Sequence, residues 1–297
     1  MSMAVLFDTP GPRGRIRNHL LTVVSVLAFA GVLYWVYLGF DAKGQFEGRI
    51  WEPFLAAETW QYQIIPGLLG TLKAAAVSAV LALAFGAVFG LARLSDHRWI
   101  RIPAGAVVEV FRAIPLLLLI FFIFYVAPTI FGGGDYAFIA VVLGLTLYNG
   151  SVLAEVVRAG VYAVPKGQAE AAYAIGMRKN QVMRLVLLPQ AITAMMPAIV
   201  SQLVVLLKDT ALGYIIAYVD LLNTGFKILP AVYNGSLIPA AIVIGTIYVS
   251  LNLLLSYLAN VLEKRSRRSR KTAAKPVAPP GAEAIGLRSG GGLDSTD

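Results

Sequence analysis

The chain has 297 residues, 58% of them hydrophobic and 14% charged, with a mean hydropathy of +0.73. Soluble domains average about 25% charged residues, so the composition excludes a water-soluble globular protein and predicts a polytopic membrane protein. The net charge of +9 does not point to nucleic acid: much of it lies in residues 264–271 (KRSRRSRK), directly after an apolar run, where the positive-inside rule and anionic headgroups account for it.

With no cysteine, disulfides, Cys-ligated metals and thiol nucleophiles are excluded. The two histidines, His19 and His97, lie far apart in basic flanks, and no metal site is expected. The first apolar run starts near residue 20 without a small-residue cleavage site, so no signal peptide is expected.

Residues 1–18, with Pro10, Gly11 and Pro12 among Arg13, Arg15 and Arg17, are expected to be a disordered cytoplasmic segment. Residues 19–40 form an apolar run of the roughly 20 residues that a span needs. Tyr34, Trp35 and Tyr37 stand at its far end, where an aromatic belt belongs, and the preceding arginines place the N-terminus inside. Residues 41–64 read as an outer loop or interfacial segment. Residues 67–94 are the second span, with Gly70, Ala74, Ala82, Gly86 and Gly90 suited to close helix packing.

A short basic connection follows, with Arg93, Arg98 and Arg101, and then a third span over residues 104–126. Glu109 and Arg112 share a face at i, i+3 and are candidates for an ion pair, structural or gating. FGGGDY (131–136) predicts a tight outer turn. The fourth span covers 137–157, where Glu155 and Arg158 again stand at i, i+3.

Residues 161–190 form a polar, basic island. Val164-Pro165 predicts a helix start, and residues 166–175 are rich in Ala, Glu and Gln, all helix formers. Gly176 suits a left-handed C-cap. A second short helix is expected over 178–188, stopping near Pro189. Residues 191–222 are one apolar run, too long for a simple span of about 20 residues. It contains Pro197 and the adjacent charges Lys208 and Asp209. A charge at a helix centre is costly, so an unwound segment is expected there, exposing backbone to a cavity. In that reading Lys208 holds a carboxylate, Asp209 an ammonium, Thr210 adds a hydroxyl and Gln202, on nearly the same face, reads a side chain. A structural ion pair, or a snorkelling Lys208, is the alternative. Residues 223–236 read as an outer loop, 237–262 as the last span and 272–297 as a disordered cytoplasmic tail. The fold class is therefore all-α, with six membrane spans and both termini inside.

The island carries Glu170-Ala171-Ala172, three residues, Gly176, nine residues, Val186, one residue, then Leu188-Pro189. This resembles the EAA loop of ATP-binding-cassette importer permeases, with Val186 where that family usually has Ile. FRAIPLLLLIFFIFY (111–125) is similar to that family's FRGTPLL motif in polar amino-acid permeases, with Ala113-Ile114 in place of Gly-Thr. LYNGSVLAEVVRAGVYAVPKGQAEAA and KDTAL are also similar to segments of that subfamily.

The resemblance covers about residues 66–265. It implies a transmembrane domain over 65–265, a five-helix core to which the span at 19–40 is an N-terminal addition, and a coupling loop at 161–190. It also implies a non-enzymatic role as the pore-forming subunit of a bacterial plasma-membrane importer. The implied partners are an ATPase dimer, a second permease subunit, an external substrate-binding protein and the lipid bilayer. No cofactor is expected on this chain, ATP and Mg being on the partner ATPase; the chain has no GxxxxGK[ST] sequence.

The N-terminal extension, the FDTPGPRGR opening and the extra span are similar to glutamate permease subunits of actinobacteria. Glutamate is thus the first expected substrate, with glutamine, aspartate or a basic amino acid as alternatives. A membrane-embedded enzyme would need HExxH, GxSxG or an intramembrane His or Cys, none of which the sequence holds. A stand-alone secondary transporter or channel would accommodate Lys208-Asp209 but leaves the loop without a role.

Overall fold

Apolar runs this long, without strand-type alternation, leave helices as the way to satisfy every backbone group inside a membrane. The computed structural model describes residues 11–273 and is all helical, with no strand among them. Among the described residues five helices are long and apolar enough to cross a membrane, or six when one broken pair is counted as a span.

The first helix, α1 (Pro12–Asp41), begins before the expected boundary at residue 19. Pro12 explains this: its ring presets the helical φ at the first position, where its missing N–H costs nothing. Residues 12–18 are thus helical rather than disordered. The expected disorder of residues 1–10 and 274–297 lies outside the described residues. No α1 side chain is buried.

The stretch after α1 is not an open loop. It folds into the short turns Gly48–Trp51 and Glu52–Leu55. Gln45, buried, donates to the Gly235 carbonyl at 2.9 Å and accepts from the Ile238 N–H at 3.1 Å. α2 (Ile65–Ala92) continues a span that starts at Ala57. Ala74 and Ala82 are fully buried along it. A Cβ on Gly86 would sit 2.6 Å from that of Leu153, so a side chain there would push two helices apart.

The expected third span is two helices, α3 (Arg98–Ala113) and α4 (Leu116–Phe131). Ile114 and Pro115 lie outside both. Pro115 has no N–H to donate, and its ring disfavours helix at Ile114, so the apolar run hides a break. The turn after α4 has Gly132 at φ +85°, as the glycine run predicts. α5 (Ala137–Tyr162) runs past the expected end at residue 157.

α6 (Lys166–Ala174) is the first coupling-loop helix. The expected stop at Pro189 does not occur. A wide π-type turn, Val182–Leu187, leads straight into α7 (Leu188–Asp209). In a regular α-helix the Pro189 ring would strike the carbonyl four residues back; the wider turn takes that carbonyl out of register. Nor does the backbone unwind at Lys208-Asp209. It tightens into a 3-10 stretch, Thr210–Ile216, and ends at Ala217 in the left-handed region.

The expected outer loop at 223–236 is largely a short apolar helix, α8 (Leu221–Val232). Leu221 and Leu229 are fully buried with Phe54, Ile64, Ala240 and Ile244, which is why these residues are helical rather than solvated. α9 (Leu237–Ala273) closes the described chain.

The chain divides into two compact units. The first holds the residues up to Leu81, Ile114–Leu147 and Leu206–Asn252; the second holds Ala82–Ala113, Tyr148–Val205 and the residues from Leu253 onward.

Candidate functional site: the coupling loop, an ion-pair cluster and a polar segment

The coupling loop belongs to the second unit. α6 ends in a complete Schellman cap. Gly176 has φ +82°, its N–H donates to the Tyr173 carbonyl at 2.9 Å, and the Met177 N–H donates to the Ala172 carbonyl at 3.2 Å. Gly176 is thus the left-handed turn residue that the sequence predicts. Arg178 then opens a new turn, its N–H donating to Gln181 Oε1 at 2.8 Å.

Of the motif residues, Ala172 faces inward at 5% exposed, and Val182 of the π-type turn is fully buried. Glu170, Ala171 and Pro189 are exposed, and Leu188 is half-buried at the start of α7. Tyr173, Ile175 and Leu185 stand out at 47%, 79% and 69% exposed. The knob therefore shows an acidic residue and three large apolar side chains together, a surface suited to burial against another protein.

Two ties hold the knob. Lys179 pairs with Asp96 in the connection after α2; the ammonium beside Asp96 holds its carboxyl below the usual value. Gln190 Nε2 donates to Gln168 Oε1 at 3.3 Å and to the Val186 carbonyl at 3.0 Å.

The second unit also holds an ion-pair cluster. Glu155 accepts from Arg93 at 2.9 Å and from Arg158, and lies 3.8 Å from Arg112. The expected Glu155–Arg158 pair is present. Glu109 and Arg112 do not meet each other: Glu109 takes Arg93 at 3.4 Å, while Arg112 reaches toward Glu155. Arg93, at 13% side-chain exposure, is the hub, and its partners are too distant in sequence for helical spacing to suggest them.

The residues proposed for a substrate path fall in both units. In the second, Gln202 Nε2 donates to Asn149 Oδ1 at 2.6 Å. Asn149 is fully buried mid-way along α5, and its Nδ2 has no partner. In the first unit, Lys208 is exposed, and its carbonyl accepts from the Tyr248 hydroxyl at 2.8 Å. Asp209 is half-buried. Thr210 is fully buried, and its hydroxyl donates back to the Leu207 carbonyl at 2.7 Å. Thr210 therefore supports the tightened backbone and does not offer a hydroxyl to a cavity.

A family model described as binding-protein-dependent transport system inner membrane component matches residues 82–268. The chain belongs to this family. It is 43% identical over 241 residues to the glutamate transport system permease protein GluD of Corynebacterium glutamicum, covering 80% of this chain and 88% of that one. The arginine transport system permease protein ArtQ of Bacillus subtilis is 35% identical, with 68% and 91% covered. A crystal structure of an amino acid ABC transporter with histidines superposes with a TM-score of 0.65 at 32% identity, covering 71% of this chain and 98% of that one. The MetNI methionine transporter, at 21% identity and TM-score 0.61, shares the fold.

As a member of this permease family, the chain is a multi-pass membrane protein. Both the knob and the ion-pair cluster lie within the residues that the family model matches.

One buried acid escaped the sequence reading. Asp220, 1% exposed, caps α8: its Oδ1 accepts from the Asn223 N–H at 2.6 Å, while the Leu221 N–H donates to Thr71 Oγ1 at 3.0 Å. Burial pushes its carboxyl up to about 6, against the pull of the backbone N–H groups of Asn223, Leu222 and its own residue. Asp220 standing immediately before Leu221-Leu222 was the available signal for a helix start.

Proposed function

We propose that the chain is the pore-forming permease subunit of an ATP-driven importer that carries a polar amino acid, glutamate first, inward by alternating access. The observation that carries this reading is the coupling knob. A compact projection of α6 and the π-type turn after it, capped at Gly176 and exposing Glu170, Tyr173, Ile175 and Leu185, serves to transmit force from another subunit.

The chain lacks a GxxxxGK[ST] sequence, so ATP and Mg are assigned to a separate ATPase dimer that docks on the knob. A second permease subunit and an external binding protein complete the assembly. The arginines in the first turns of α1 (Arg13, Arg15 and Arg17) and the basic run after the last span favour a cytoplasmic position for both termini in a bacterium. The transmembrane domain is assigned to residues 65–265, with α1 as an addition to it.

Glutamate is favoured by the Corynebacterium glutamicum relative. A second reading, glutamine or a basic amino acid, is favoured by the arginine permease of Bacillus subtilis and by the putative glutamine permease of Rickettsia felis, 32% identical. Lys208 and Asp209 supply the two charges that an amino acid's α-carboxylate and α-ammonium require, and Gln202 the amide that reads the side chain.

Uptake of a panel of labelled amino acids, in a strain deleted for this chain and complemented with it, tests the assignment. Glutamate uptake restored ahead of the others supports the first reading. Restoration of arginine or glutamine alone replaces it.

A further inference from the structure

The second unit carries a basic recess that neither the coupling knob nor the substrate path accounts for. A cavity of about 430 Å3 is lined by Arg93, Arg101, Ile102, Glu109, Arg158 and Tyr162, among others. Four guanidinium groups, those of Arg93, Arg101, Arg112 and Arg158, gather about two carboxylates, Glu155 and Glu109. Glu155 is saturated by its arginines. Glu109 is 70% exposed and takes a 3.4 Å contact from Arg93. Arg101 donates a long bond, 3.4 Å, to the Ser95 carbonyl; no carboxylate among the described residues is at ion-pair distance from it, and Asp96, already paired with Lys179, feels its charge from farther off. The recess therefore has positive charge in excess.

Its place along the spans says what sort of anion it meets. Arg158 and Tyr162 occupy the last turns of one candidate span, Ala137–Tyr162, and Arg93 directly follows another, Ala57–Ala92. The recess thus sits where hydrocarbon gives way to headgroups. Beside it, Trp99 and Ile102 are 74% and 63% exposed on the same helix as Arg101. Large apolar side chains next to a guanidinium group without an ion pair, that of Arg101, match an interfacial helix, with its ring at headgroup depth and its cation on phosphate. Basic pockets between spans on the inner side of a membrane are established headgroup sites in general.

We propose that this recess binds an anionic phospholipid, the headgroup phosphate on Arg101 and Arg158, the glycerol and upper acyl chain against Trp99 and Ile102. The site goes beyond the transport reading and does not depend on it.

The test is lipid retention by the complex purified from its host membrane and placed in mixed phosphatidylcholine and phosphatidylglycerol nanodiscs, read by native mass spectrometry. Phosphatidylglycerol should be retained over phosphatidylcholine. Arg101→Gln should weaken that retention about five-fold, the equivalent of one basic residue at a lipid surface. Arg101→Lys should keep most of it, and Arg98→Gln, outside the recess on the same helix, should leave it unchanged. Added inorganic phosphate should not displace the lipid. Equal retention by wild type and Arg101→Gln, equal loss in Arg98→Gln, or displacement by inorganic phosphate would each overturn the proposal.

Discussion

Arg93, at the end of one span, and Glu155, in the last third of another, are joined at 2.9 Å with the arginine side chain only 13% exposed. Removing one partner of a sheltered pair strands the other charges. Exposed pairs contribute about 0–1 kcal/mol and buried ones cost about 3–5 kcal/mol to break. Glu155→Gln, which leaves three arginines facing one another, should therefore cost on the order of 2 kcal/mol. Glu109→Gln, at a carboxylate 70% exposed, should cost far less. Thermal unfolding of the two purified variants checks the order; equal Tm losses would show that the Arg93–Glu155 pair does not hold the cluster together.

Gly176 is held at φ +82° with open space around the place a Cβ would take. The expected effect of Gly176→Val is thus backbone strain alone, roughly 1–2 kcal/mol, with no clash. Membrane insertion should be intact, while ATP hydrolysis and uptake become uncoupled. Gly176→Asn, a residue that tolerates this conformation, should retain more coupling. Coupling ratios from paired hydrolysis and uptake assays decide it, and wild-type ratios in Gly176→Val would make the loop a plain linker.

The α6 cap was legible because a glycine after a helix-forming run has one common use. The Glu155–Arg158 pair was legible because helical spacing sets it. Arg93 was not, since its partners come from other helices. The two proline errors have opposite causes. At Pro115 the apolar run masked a true break. At Pro189 a wide turn absorbed the ring, and the helix continued. Of the substrate-path residues, Gln202 was expected on nearly the face of Asp209; that its amide donates to Asn149 depends on the packing of α5 against α7, which sequence spacing does not show.

Asp220 predicts a pH dependence. Its folded carboxyl titrates at about 6 against an ordinary 3.8, because it is buried. The folded protein thus holds the proton more tightly than the unfolded chain. Its contribution to stability is complete below 3.8 and is lost as the pH rises through about 6, on the order of 2 kcal/mol in all. Asp220→Asn keeps an oxygen acceptor for the Asn223 N–H and should flatten that dependence. The variant should be the more stable protein near pH 8 and close to wild type near pH 4. Parallel Tm curves for the two proteins across that range would contradict a buried carboxyl.

Lys208 offers its side chain outward while its carbonyl is held by Tyr248. Lys208→Met should leave that backbone contact, and assembly with the ATPase, in place. Substrate-stimulated hydrolysis should be lost. A variant that transports at the wild-type rate, or one that fails to assemble, takes Lys208 out of the substrate path.

The central claim, that this chain is a permease driven by a separate ATPase through its coupling knob, is tested most directly by reconstitution. The chain is placed in proteoliposomes with the second permease subunit, ATPase and substrate-binding protein of its own host, and accumulation of labelled glutamate is followed with and without ATP. Accumulation should require both ATP and the ATPase subunit, and Glu170→Lys in the knob should abolish it while the chain still inserts. Accumulation by the chain alone, driven by an ion gradient and indifferent to Glu170→Lys, would contradict the account.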